Sequence, residues 1–100
     1  MTDFYTINTI VSCIPYNGLT IKKVFTEPQT EVLLIALEKD HLFPEHDSPR
    51  KTMLQMLEGE IIFQINNHKF ALKNHECFQF PAKEKHNVVA IQHSKFLIIR

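Results

Sequence analysis

The residues with the most obvious chemistry lie in one stretch, HLFPEHDSPRKTMLQMLEGE, residues 41–60. His41 and His46 stand ahead of a turn-rich segment, and imidazole is the commonest side-chain ligand of metal ions. Catalytic zinc takes three protein ligands and a water, and non-haem iron takes two histidines and a carboxylate. By itself the stretch therefore reads as half of a metal site. Other sources of chemistry are thin. There is no Gly-rich phosphate loop, GxSxG elbow or HExxH helix. Cys13 and Cys77, the only two cysteines, are too few and too far apart for a disulfide framework or a CxxC site. They read as buried, reduced thiols of a cytosolic protein. His68 follows the turn residues Asn66-Asn67, His75 sits between Asn74 and Glu76, and His93 lies in a polar turn, so all three read as solvated. Glu58 and Glu60 read as solvated strand ends.

The elements that must position these residues are short apolar runs punctuated by turns. They are LTIKKVF (19–25), EVLLIAL (31–37), TMLQML (52–57), EIIFQI (60–65), HKFAL (68–72), CFQF (77–80), NVVAI (87–91) and KFLII (95–99). Runs of this length, rich in Ile, Val, Phe and Leu, are strands. Asn66-Asn67 can adopt the positive φ angles of a tight hairpin turn. Eight such strands without a long helical pattern predict an all-β barrel or sandwich. The first dozen residues are ambiguous between an edge strand and a short helix capped by Thr2 or Asp3. Isoleucines at 7, 10 and 14 favour a helical turn before residue 11.

One hundred residues predict one domain, 1–100, with an N-terminal segment over 1–18 and the barrel over 19–100. Basic and acidic residues number 11 each, which removes the electrostatic argument for nucleic acid or an anionic membrane surface. VLLIAL is far too short to span a bilayer. The N-terminus has no basic region ahead of an apolar one, so a cytoplasmic location is expected. VLLIAL, VVAI and FLII are apolar on both strand faces, and the outer face needs a cover. A homodimer is the expected cover, and capping by the N-terminal segment is the alternative.

The segments LEKDHLFPEHDSPRKTMLQMLEGEI and HECFQFPAKEKHNVVA resemble the two motifs of the cupin family, G-x5-H-x-H-x3–4-E-x6-G and G-x5-P-x-G-x2-H-x3-N. The likeness spans roughly residues 31–99. It implies a small double-stranded β-helix, or jelly-roll barrel. His46, Gly59, Pro81 and His86 match. Asp40, His75 and Lys83 stand where the motifs have glycine. Ser48, Thr52 and Ala90 stand where they have histidine, glutamate and asparagine. The sequence is closer still to single-domain cupins with one first-motif histidine, matched by FPEHDSP, LQMLEG and FPAKEKH.

That resemblance implies a site built on His46 and His86, brought together by barrel closure. As a metal centre for Zn, Fe, Mn or Ni it lacks a third standard ligand. The remaining donors are Gln55, His41, Thr52 and Ser48. Strand alternation from Thr52 puts Gln55 on the opposite face unless a bulge intervenes. As a ligand pocket it would be lined by His46, Ser48, Thr52, Leu54, Met56, His86, Val88 and Ala90. Such a pocket is apolar with a small polar floor and suits a small, mostly apolar molecule. The first expectation is thus a binding module that holds its ligand between His46 and His86. The second is a metal-dependent enzyme of dioxygenase or isomerase type, and the third is a barrel filled by its own side chains.

Overall fold

The computed structural model describes residues 4–100. Within them the chain forms a helix α1 (Ile10–Cys13) and strands β1 (Leu19–Glu27), β2 (Thr30–Leu37), β3 (Leu42–His46), β4 (Thr52–Glu58), β5 (Glu60–Ile65), β6 (His68–Lys73), β7 (Cys77–Phe80), β8 (His86–Ala90) and β9 (Ser94–Ile99). The strands make two antiparallel sheets, ordered β1-β2-β9-β4-β7 and β3-β8-β5-β6. All eight expected strands are present. The ninth, β3, lies in the segment that reads as loop. Its Pro44 lacks the N–H of a central strand, but β3 is an edge strand paired only with β8, where proline is tolerated.

The inner faces meet in one core. Ile35, Leu37, Leu54, Met56 and Phe96 come from the five-stranded sheet, and Ile61, Phe63, Ile65, Val88 and Ala90 from the four-stranded one. The outer face of β2 is apolar too. There Leu34 and Ala36 pack with Ile14, and with the partly buried Ile10, Val11, Tyr16 and Leu97. The N-terminal segment thus covers the face for which a homodimer is expected from the sequence. Lys95, only 6% exposed, ties the segment down. Its Nζ donates to the Val11 carbonyl at 2.7 Å and lies 5.3 Å from the Tyr16 ring centroid.

Two expectations need correction. The helical turn falls at Ile10–Cys13 rather than before residue 11, because there it can set Ile10, Val11 and Ile14 on the outer face of the sheet. The suggested caps Thr2 and Asp3 lie outside the described residues. The two cysteines are free but exposed, Cys13 at the end of α1 and Cys77 at the start of the edge strand β7.

The turns carry the motif register. Asp40, His75 and Lys83, at the three glycine positions, have φ of 69°, 70° and 67°. The backbone keeps the left-handed conformation that glycine serves, although the side chains have changed. Asn66 and Asn67, at 51° and 64°, form the expected hairpin turn. Gly59, at φ 100°, carries the chain from one sheet to the other. A Cβ there would collide with the His93 carbonyl oxygen and Ser94 Oγ.

Candidate functional site

Strand register brings the histidines together. His46 ends β3, His86 opens β8, and the two are direct cross-strand partners. Their ring centroids are 4.2 Å apart, edge to face at 70°. Phe43 stacks on His46 at 4.1 Å, and Phe63 stacks on His86 at 5.1 Å. Phe80 meets His86 at 4.6 Å. The imidazoles are therefore held in an aromatic cluster and touch each other, with no room for a ligand between them.

Their tautomers follow from their partners. His46 Nδ1–H donates to the Pro44 carbonyl at 2.6 Å, and His86 Nδ1–H donates to the Glu84 carbonyl at 2.9 Å. A carbonyl only accepts, so Nδ1 bears the proton and Nε2 keeps its lone pair in the neutral ring. His86 is only 3% exposed. Burial pushes its pKa below the ordinary histidine range, helped by electrostatic repulsion from His46 and Arg100. The Glu84 carbonyl and Asp47 offset part of this.

The positions of the missing cupin ligands are joined by hydrogen bonds. Arg100 Nη1 donates to Ser48 Oγ at 3.1 Å, Ser48 Oγ lies 2.8 Å from Thr52 Oγ1, and Thr52 Oγ1 donates to the Arg50 carbonyl at 2.9 Å. The guanidinium can only donate and the carbonyl can only accept, so the chain runs one way, from Arg100 through Ser48 and Thr52. Glu31 Oε1 accepts from Arg100 Nε at 3.0 Å. Ser48 and Thr52 are buried.

A cavity of about 170 Å³ opens beside the histidines. His46, His86, Ser48, Thr52, Asp47 and Arg100 form its polar wall. Ile35, Phe43, Phe80 and Ile98 are among its apolar lining. Of the residues expected in a pocket, His46, Ser48, Thr52 and His86 line this cavity. Leu54, Met56, Val88 and Ala90 point inward but lie in the packed core and do not reach it. Gln55 faces away, and its Nε2 donates to the Met56 and His75 carbonyls at 3.0 and 3.1 Å. His41 stays outside, with Nδ1 3.2 Å from the Lys39 carbonyl oxygen. Sequence reasoning missed the apolar lining and, in the polar wall, Asp47 and Arg100, of which Arg100 bears most on the chemistry. Its signal was the alternation Phe96, Ile98, Arg100, which places a cation on the inner face just past β9.

This donor set does not fit a transition metal. Two imidazoles are available, and among the described residues no three His, Cys, Asp or Glu side chains gather where an ion could be held. The hydroxyls of Ser48 and Thr52 are engaged with each other, and Arg100 brings a positive charge that cannot ligate.

No protein-family model matches the sequence, and no curated protein matches it either. Solved structures do. A RmlC-like cupin from Desulfovibrio desulfuricans superposes with a TM-score of 0.83 at 14% identity, covering 95% of this chain and 94% of that one. A cupin superfamily protein from Desulfitobacterium hafniense gives 0.78 at 18% identity, covering 85% and 78%. KdgF from Halomonas sp. gives 0.74 at 18% identity, covering 82% and 76%. The chain therefore has the cupin fold, a double-stranded β-helix. No helix among the described residues is long and apolar enough to cross a membrane.

Proposed function

We propose that this cupin barrel is a binding module for a small, mostly apolar molecule lodged against His46 and His86. The observation that supports this reading is the preformed cavity, with apolar walls on one side and two imidazoles whose Nε2 atoms are unengaged on the other. A concave apolar site with a few convergent polar groups is the usual form of a small-molecule site. The fold adds little, since KdgF and other cupin barrels share it and one fold hosts many functions. Nothing in the site favours the metal-dependent enzyme. The filled barrel is opposed by the cavity itself. The proposal places the protein in the cytoplasm. It extends to a homodimer in which a second copy covers Phe25, an apolar residue of β1 that stays 52% exposed.

The test is a titration with 4-methylpentan-1-ol followed in amide correlation spectra. Resonances of His46, Ser48, Thr52 and His86 should shift saturably, and Ile98→Phe, which fills the cavity, should abolish the shifts. Unmoved resonances would reject the reading. Near-stoichiometric Fe, Mn, Ni or Zn in protein purified without a histidine tag, removed by either His46→Ala or His86→Ala, would favour the metal enzyme instead.

A further inference from the structure

The polarity of the cavity wall narrows the ligand class. Both imidazoles donate Nδ1–H to the backbone, so in their neutral forms they offer the cavity only acceptors. Burial keeps His86 neutral around neutral pH. Arg100 offers only donors. Its Nε serves Glu31 and its Nη1 serves Ser48, which leaves Nη2 for an occupant. An occupant that satisfies both sides must donate to an imidazole Nε2 and accept from a guanidinium. A hydrocarbon meets none of this demand, a plain alcohol must serve both sides through a single oxygen, and a simple carboxylate would oppose its oxygen lone pairs to those of the imidazoles.

Charge selects between the remaining classes. Lys23 Nζ lies 3.8 Å from Glu31 Oε2, on the same carboxylate that holds Arg100 at Oε1. Lys23 is 69% exposed and Asp47 is exposed as well, whereas the Arg100 side chain is only 22% exposed, so the guanidinium is the least screened cation at the cavity. Water screens the rim carboxylate more than the guanidinium. Guanidinium is also the cation best matched to a carboxylate.

On the binding reading above, we infer that the cavity takes a short-chain 2-hydroxy carboxylate. The carboxylate accepts from Arg100 Nη2, the hydroxyl donates to an imidazole Nε2, and the alkyl chain lies along Ile35, Phe43, Phe80 and Ile98. Arg100 thus supplies the positive charge for which the site has no metal.

Three probes separate the parts: 2-hydroxy-4-methylpentanoate, 4-methylpentanoate without the hydroxyl, and 2-hydroxy-4-methylpentanamide without the charge. Titrated at pH 7.5 and followed in amide correlation spectra, the hydroxy acid should bind about tenfold tighter than either relative, the scale of one hydrogen bond to a charged group. Arg100→Gln should bring the acid down to the level of the amide and leave the amide within about threefold of its original affinity. Equal binding of all three probes would overturn the ligand class while leaving the pocket reading in place. Failure of these probes and of 4-methylpentan-1-ol alike would reject both. The comparison of probes on the unaltered chain decides the matter even if Arg100→Gln does not fold.

Discussion

His86 gives the site a pH dependence of definite sign. Its folded pKa is lowered, chiefly by burial, while in the unfolded chain it returns to the ordinary value. Between those two values the unfolded state binds more protons, so stability rises with pH across the interval. The contribution is complete above about pH 6.5 and is lost as pH falls from there toward the folded pKa. Thermal midpoints measured from pH 8 to pH 5 should therefore fall on the acid side, and His86→Gln should flatten that part of the profile. A profile unchanged by the substitution would contradict the assignment. At this scale the sequence was informative where a motif supplied a frame. His46, Ser48, Thr52 and His86 were placed by counting from Gly59 and Pro81, and all four line the cavity. Arg100 has no such frame, because the alternation that turns it inward depends on where β9 ends.

The strands were legible because their apolar runs are bounded by turn residues. β3 was not, because Pro44 and Glu45 hide an edge strand whose hydrogen bonds run to one neighbour only. The turns hold a further consequence. Asp40, His75 and Lys83 all have φ near 70°, but aspartate and histidine tolerate this conformation better than lysine does. Lys83→Gly should stabilise the protein by about 0.5–1 kcal/mol, the strain relieved being only partly offset by the greater freedom of glycine in the unfolded chain. Gly59→Ala should act in the opposite direction. Its positive φ and the collision with the His93 carbonyl and Ser94 should cost about 2–4 kcal/mol. Urea unfolding of the two variants beside the parent measures both effects, and a stable Gly59→Ala protein would mean that the β4–β5 junction can shift.

For the molecule as a whole, the apolar character of VLLIAL on both faces was readable, and so were its two candidate covers, a second copy or the N-terminal segment, but not the choice between them. The isoleucine spacing favours a helical turn in this segment, but its place at Ile10–Cys13 and its role follow from the tertiary contact with Leu34 and Ala36. Deleting residues 1–14 should uncover that face and remove the carbonyl that receives Lys95. The truncated chain should self-associate in sedimentation velocity, and one that stays monomeric and folded would show that this cover is dispensable. The intact chain serves as the reference, and detection of only an 11.7 kDa species at micromolar concentration would rule out the proposed homodimer. The pairing of His46 with His86 has an implication beyond binding. They are opposite rungs of one strand ladder, so their contact exists only while β3 and β8 are in register. The ring protons of His86, shifted by the aromatic faces around it, are thus a built-in gauge of barrel closure that can be read in one-dimensional proton spectra without any added label.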